Sequence, residues 1–175
     1  AGEGMGMIGQ PFQVVTEARI AAAKILEVIN RKPTIDSFSE EGSKPDKCNG
    51  EIKLENVVFS YPTAPNITVL NNINLHCPSG KSMALVGSSG SGKSTVIQLL
   101  ERFYDPISGT VSLDGTDIKT LNVRWLRSQV GLVSQEPVLF QGSVAQNISY
   151  GMVEAASQDD IEKAAKQANA HDFIS

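Results

Sequence analysis

The chain has 175 residues, of which 41% are hydrophobic and 19% are charged, and its net charge is −4. This balance is typical of a folded globular protein and argues against general disorder. Because acidic residues outnumber basic ones, 19 to 15, the charge does not favour nucleic acid as a partner. No apolar run approaches the ~20 residues that cross a membrane, and the N-terminus does not resemble a signal peptide. The two cysteines form no CxxC pair and suit a reducing compartment.

The first 50 residues predict a helix followed by a linker. Residues 11–30 carry an apolar stripe at helical spacing, with Pro11 at a favourable first position and Pro33 as a stop. Residues 31–50 are polar and contain two prolines, which is typical of a linker.

After residue 50 the pattern is that of an α/β domain. Two continuous apolar runs, SMALVG at 82–87 and VGLVS at 130–134, predict strands that are buried on both faces of a parallel sheet. Residues 51–60 alternate and are rich in β-branched side chains, which predicts a strand, and further strands are predicted over residues 67–78 and 110–115. Helices are predicted over about residues 94–103, 122–128, 142–151 and 157–175.

The loop after the first apolar run carries the phosphate-binding pattern G-x-x-x-x-G-K-[ST]. Its glycines let backbone N–H groups point inward around phosphate oxygens, and the following helix adds a partial positive charge at its N-terminus. Lys93 would direct a full charge at the β- and γ-phosphates, and the Ser94 hydroxyl suits Mg²⁺. The candidate nucleotide-binding residues of the loop are Gly87, Ser88, Ser89, Gly90, Ser91, Gly92, Lys93, Ser94 and Thr95.

Two residues outside the loop are further candidates. Tyr61 lies at the end of the first strand, where its ring would stack on a purine base or, alternatively, pack as an ordinary strand-end tyrosine. Gln135 follows the second apolar run, and ligands of open parallel sheets collect at the carboxyl ends of strands. Its amide oxygen would ligate Mg²⁺ and hold a water; the alternative is an exposed loop glutamine.

Taken together, these segments resemble the nucleotide-binding domain of ATP-binding cassette (ABC) exporters, above all the multidrug-resistance, P-glycoprotein-like group. The resemblance implies an α/β P-loop NTPase fold, the ABC ATPase, with an antiparallel β subdomain and the start of a helical subdomain, truncated. The segments that carry it are Tyr61 in FSYP, GSSGSGKST at 87–95, LDG at 113–115, VSQEPVLF at 133–140 and NISYG at 147–151.

The resemblance also implies roles for single residues. Tyr61 matches the aromatic that stacks on adenine, and Val69 lies where the group often has an aliphatic contact to the base. Residues 87–95 match the Walker A loop. Gln135 matches the Q-loop glutamine, which contacts Mg²⁺ and the catalytic water and faces the membrane domains. The implied cofactor is Mg-ATP, the implied catalytic residues are Lys93 and Gln135, and the implied Mg²⁺ ligands are Ser94 and Gln135.

The resemblance implies three regions: the end of the last membrane helix with its cytosolic extension (1–32), a linker (33–50) and the first part of a cassette (51–175). No LSGGQ signature, Walker B strand or switch histidine is found in the sequence; the run at 111–114 is interpreted as a strand end that enters a turn. We therefore expect a fragment that binds Mg-ATP but is inactive alone. Its parent would be an exporter ATPase at the cytosolic face of a membrane.

The implied partners are the membrane-spanning domains of the same transporter and a second nucleotide-binding domain in a head-to-tail ATP sandwich. Two alternatives stay open. A soluble cassette ATPase shares the phosphate loop, although the helix and linker before residue 51 argue against it. A different P-loop class, such as a kinase or GTPase, would leave Tyr61 unexplained, and no guanine-reading NKxD element is present. The sequence does not specify the transported substrate.

Overall fold

The computed structural model describes residues 3–134, 136, 138–152 and 155–174, with side chains described from residue 13 onward. The chain forms two compact units, residues 1–131 and residues 132–175.

Helix α1 spans Glu3–Ile29, so the predicted start at Pro11 is wrong. Pro11 lies inside the helix, where its missing N–H removes one backbone hydrogen bond. The helix nevertheless continues on both sides of Pro11. The predicted apolar stripe is present but uncovered among the described residues, since Val14 is 64% and Ile29 is 69% exposed. No helix in the described part of the chain is long and apolar enough to span a membrane.

A four-stranded antiparallel sheet forms the body of the first unit. Its strands are β1 (Ile52–Phe59), β2 (Leu70–Cys77), β3 (Ser108–Leu113) and β4 (Thr116–Asp117), in the spatial order β2-β1-β3-β4. The three strands predicted over residues 51–60, 67–78 and 110–115 are therefore confirmed. β1 is an inner strand that pairs with both β2 and β3. Its side chains Leu54, Val57 and Phe59 are at most 1% exposed.

One face of the sheet packs on helix α2 (Lys93–Leu100), a 3-10 turn (Ile118–Thr120) and helix α3 (Val123–Ser128). α2 contributes Leu99, which is fully buried, and Val96, which is 6% exposed. Helix α2 ends earlier than predicted because Arg102 adopts a left-handed backbone with φ 52°. Its guanidinium donates to the carbonyls of Ile118 and Leu121, so the chain after α2 is tied to the 3-10 turn.

The prediction of two strands buried on both faces is not confirmed. Residues 82–87 form no strand, and Val86 is 93% exposed. Residues 130–134 form no strand either, and Val133 is 97% exposed. A strand of a parallel sheet needs hydrogen-bonded neighbours and covering helices, and no described segment pairs with either run. The continuous apolar pattern indicates that a segment would be stable as a buried strand, but a strand forms only where neighbouring strands are present.

The polar segment 33–50 is bound along the first unit. The amide of Asn122, only 2% exposed, donates to the carbonyls of Ser39 and Glu41 and accepts from the backbone N–H of Trp125 at the start of α3. Ser43 forms a short parallel bridge with Leu121. These contacts give the segment a fixed course across the unit.

A second attachment uses the turn that follows β3. The carboxylate of Asp114 accepts backbone N–H bonds from Asn49 at 2.6 Å, Glu51 at 2.8 Å and Gly50 at 3.4 Å. Burial alone would raise the pKa of Asp114. The three backbone bonds and one from the Cys48 thiol together outweigh this effect, so that the pKa lies below its usual range. Asp114 therefore ends a strand and enters a turn, as its sequence predicts, and also fixes the start of β1.

Asp114→Ala should lower the free energy of unfolding by about 2 kcal/mol, since hydrogen bonds to a charged group contribute ~1.5–3 kcal/mol. Because the folded-state pKa is lowered, the contribution is complete above the ordinary aspartate pKa and is lost as pH falls through the folded value. Denaturant unfolding at neutral and acid pH measures both effects. The control Asp46→Ala removes an exposed aspartate of the same segment. A wild-type advantage that persists undiminished in strong acid would contradict the role of the charge.

The described part of the second unit contains three helices: α4 (Val144–Ile148), α5 (Gln158–Gln167) and α6 (His171–Ile174). The continuous helix predicted over 157–175 is therefore wrong, because Asn169 adopts a left-handed backbone with φ 53° between α5 and α6. α4 begins with a capping box between Ser143 and Gln146. α5 begins after Ser157, whose hydroxyl caps the helix by accepting the backbone N–H of Asp160. The segment before α4 is attached to the helix by Asn147, whose side chain accepts from the backbone N–H of Phe140 and donates to its carbonyl.

Candidate nucleotide-binding site

Residues 87–92 form a loop that leads directly into α2, so the predicted loop–helix junction is confirmed. The Lys93 ammonium lies back over this loop. It donates to the carbonyls of Gly87 at 2.9 Å and Ser88 at 2.6 Å and lies 3.3 Å from the Ser91 hydroxyl. The charge is therefore held at the centre of the curved backbone by weak, exchangeable acceptors.

The N-terminus of α2 is left open to an anion. Its N-cap residue is Gly92, no side chain caps the first-turn N–H groups, and the first turn has no acidic residue. α4 and α5 differ, because serine hydroxyls cap both. Uncapped N–H groups together with the positive end of the helix dipole favour a phosphate at this position.

Gly92 packs where no side chain fits. A Cβ atom there would lie 2.6 Å from Leu70 Cδ2 and 3.3 Å from the Val69 carbonyl oxygen. The backbone is also left-handed, with φ 87°, which favours glycine. The glycine therefore lets the loop lie directly on the first residues of β2.

Tyr61, Val69 and most of the loop line one groove of about 440 Å³, whereas Gly87, Ser88 and Ser91 line a separate pocket. The structure thus brings together the residue proposed for base stacking, the residue proposed for an aliphatic base contact and most of the phosphate loop. The groove is lined by Tyr61, Val69, Ser89, Gly90, Gly92, Lys93, Ser94 and Thr95.

Tyr61 is held firmly at one side of this groove. Its hydroxyl lies 2.8 Å from the Thr95 hydroxyl and donates to the Gln98 side-chain oxygen at 2.8 Å. Its ring makes edge-to-face contacts with Phe59 and Tyr104, at centroid distances of 5.0 and 5.4 Å. Sequence analysis missed Gln98 and Tyr104, although the i, i+3 spacing of Thr95 and Gln98 places them on one face of α2.

Of the two candidate Mg²⁺ ligands, Ser94 and Gln135, only Ser94 lies within the described residues. Ser94 lies in the groove with an exposed side chain. Gln135 lies outside the described residues, so its role stays a prediction. No group of three or more His, Cys, Asp or Glu side chains capable of holding a metal occurs in the part of the chain that the structure describes.

A larger cleft of about 600 Å³ lies between the segment 32–42 and the 3-10 turn. It contains Arg102, whose guanidinium already binds Asp105 and two backbone carbonyls. Lys32 and Lys119 also line this cleft, but it includes neither the phosphate loop nor Tyr61 and Val69, so its size does not make it the predicted nucleotide site.

The ABC transporter family matches residues 70–175. The chain belongs to this family. It contains an ABC ATPase domain, a P-loop NTPase fold, here with the antiparallel sheet and helices described above.

Similar proteins support this assignment along nearly the whole chain. ABC transporter B family member 1 of Arabidopsis thaliana is 54% identical over 173 residues, which cover 99% of this chain and 13% of the relative. ABC multidrug transporter MDR1 of Cryptococcus neoformans var. grubii is 52% identical, over 97% of this chain and 13% of the relative. ABC multidrug transporter atrC of Emericella nidulans is 53% identical, over 94% and 14%. The chain thus spans about one seventh of the length of these relatives.

Proposed function

We propose that this chain is the ATP-binding portion of an ABC exporter that couples ATP binding and hydrolysis to the efflux of lipophilic compounds. The observation that carries the proposal is the single groove in which Tyr61, Val69 and the phosphate loop meet at the uncapped N-terminus of α2. Two of the relatives above are named multidrug transporters, which supports the substrate class.

The residues present suit Mg-ATP. The apolar side of the groove, Tyr61 and Val69, suits a base, and the loop with Lys93 suits the phosphates. Gly92 gives the backbone the close approach that a phosphate cradle requires. Ser94, with its exposed hydroxyl in the same groove, is the proposed protein ligand of Mg²⁺.

The mechanism follows from what these side chains do. Bound Mg-ATP supplies the phosphoanhydride bond whose hydrolysis drives transport. Lys93 exchanges its bonds to the loop carbonyls for bonds to phosphate oxygens and stabilises the charge that develops there. The first-turn N–H groups of α2 donate to the same charge. Tyr61 stacks on the base and fixes the orientation of the nucleotide.

Gln135 is proposed to contact Mg²⁺ and the attacking water and to face the membrane-spanning domains, as the family resemblance implies. The remaining partners are proposed on the same basis: membrane-spanning domains of the same transporter and a second cassette in a head-to-tail ATP sandwich, at the cytosolic face of the membrane. Hydrolysis also needs a group that positions the attacking water and donors on the far side of the γ-phosphate. We propose that residues outside this chain supply them and that the chain alone is inactive.

Tyr61→Ala should weaken ATP binding to the full-length protein about tenfold or more, because base–aromatic stacking contributes ~1–3 kcal/mol. Tyr61→Trp keeps an aromatic face and should retain more affinity than the alanine variant. Equilibrium binding of a fluorescent ATP analogue measures both. An equal loss in the two variants would contradict stacking.

Transport is tested with inside-out vesicles that contain the full-length protein. We expect ATP-dependent accumulation of a lipophilic dye that disappears when ATP is replaced by ADP. ATPase activity in a protein that does not sediment with membranes and moves no dye would instead support the soluble cassette ATPase.

A further inference from the structure

The hydroxyl of Tyr61 connects the proposed base site to the phosphate loop. A tyrosine hydroxyl carries one proton, and that proton is donated to the Gln98 side-chain oxygen at 2.8 Å. The Thr95 hydroxyl, 2.8 Å away, must therefore be the donor in the second bond. The Tyr61 oxygen thus both donates and accepts, with Thr95 only 4% exposed.

The ring of Tyr61 is restrained from two further directions. Phe59, 1% exposed at the end of β1, meets it edge-to-face at 5.0 Å and 80°. Tyr104, on the segment after α2, meets it at 5.4 Å and 90°. Such pairs prefer this geometry over face-to-face packing. Two ring contacts and two hydroxyl bonds therefore fix both the position and the rotation of one side chain that lines the groove.

Fixing the ring in advance changes what nucleotide binding costs. Ordering a mobile side chain opposes association, and a side chain that is already ordered avoids this penalty. The Tyr61 hydroxyl makes no contribution to stacking itself, so its two bonds act on the base through the orientation of the ring. Gln98 lies outside the phosphate-binding pattern, which ends at Ser94.

We propose that Gln98 is a positioning residue for the nucleotide base: with Thr95, it holds the Tyr61 hydroxyl so that the ring is preset for stacking on a purine. The inference rests on the proposed ATP site and adds a specificity-determining residue to it. It applies to the base and not to the phosphates.

The test compares two ligands on the full-length protein: ATP, which has a base, and inorganic tripolyphosphate, which has none. Tyr61→Phe removes the hydroxyl and keeps the ring, and Gln98→Met keeps the side-chain length and removes the acceptor. Each variant should bind ATP about three- to tenfold more weakly, and tripolyphosphate with unchanged affinity. The double variant should lose no more than either single variant, because both changes break one network.

The controls separate this site from the rest of the protein. The binding signal of Lys93→Met measures binding that does not depend on this phosphate loop. This background signal is subtracted from every titration. Gln129→Ala removes an exposed glutamine outside the groove whose side chain donates to the neighbouring Ser128 hydroxyl, and it should leave both affinities unchanged.

Two results would overturn the inference alone. Equal losses for ATP and tripolyphosphate would show that the network merely supports the loop, and unchanged ATP affinity would show that the hydroxyl does not position the ring. A different result would overturn the proposed function as well: wild-type protein that binds ATP no better than Lys93→Met. In that case the inference fails together with the ATP site on which it rests.

Discussion

Lys93→Met should reduce ATP hydrolysis by the full-length protein about 100-fold or more, the usual effect of removing one donor that stabilises developing charge. In the structure the ammonium lies over the loop and bonds the Gly87 and Ser88 carbonyls, which are weaker partners than a phosphate. Methionine keeps most of the side-chain length and none of the charge. The fold should change little because Lys93 lies at the loop and its neighbours Thr95 and Val96 anchor α2 in the core.

The measurement is phosphate release beside a denaturant unfolding curve. Lys119→Met is the matched control, because Lys119 is an exposed lysine in the 3-10 turn outside the groove. It should leave hydrolysis at the wild-type rate. Normal turnover in Lys93→Met would refute the assignment of the phosphate loop, and an unfolded variant would show that the lysine serves the fold.

Local patterns predicted several local features of this chain correctly. Alternation over 51–60 identified β1, because side chains of a half-buried strand point alternately to the core and to solvent. The phosphate loop was found in the same way, since its glycines and lysine occupy fixed positions in a short segment. The turn at Asp114 followed from its own residue types.

The missing features depend on residues that are distant in sequence. The bonds from Asp114 to Asn49 and Glu51 join positions 65 and 63 residues apart, and no local pattern reports them. The network around Tyr61 likewise spans 34 residues to Thr95 and 37 to Gln98. The sequence therefore predicted that Tyr61 is a candidate, but not what holds it.

The apolar runs at 82–87 and 130–134 were predicted as buried strands, but the structure does not contain these strands. Their composition predicts burial on both faces, yet Val86 and Val133 are more than 90% exposed. Composition describes the environment in which a segment would be stable, whereas pairing requires a neighbouring strand of suitable register. Exposed runs of this kind are also prone to association, so solubility of the 175-residue chain is expected to be poor.

Gly92→Ala should be the most damaging single-methyl change in the groove. The new Cβ would lie 2.6 Å from Leu70 Cδ2, and Leu70 is itself a core residue with 3% exposure. Overpacking of a dense core costs ~1–3 kcal/mol, and a left-handed backbone adds ~1–2 kcal/mol for a residue other than glycine. We therefore expect the free energy of unfolding to fall by about 2–5 kcal/mol.

Gly80→Ala separates the two contributions. Gly80 has a left-handed backbone, φ 69°, but a Cβ there would meet nothing within 4 Å, and it lies in the turn after β2, outside the groove. This control should lose only the backbone contribution, about 1–2 kcal/mol, and should bind ATP normally. Denaturant unfolding and ATP titration of both variants give the comparison.

The clash also predicts a loss of function that exceeds the loss of stability. Relieving it requires either the Leu70 side chain to repack within the core or the loop to lift away from β2. Because core packing resists the first movement, the loop should lift, which displaces the N–H groups of α2 and Lys93 from the positions that suit a phosphate. ATP affinity of the folded Gly92→Ala protein should then fall more than tenfold. If Gly92→Ala instead matches Gly80→Ala in both measurements, the loop does not depend on its contact with the start of β2.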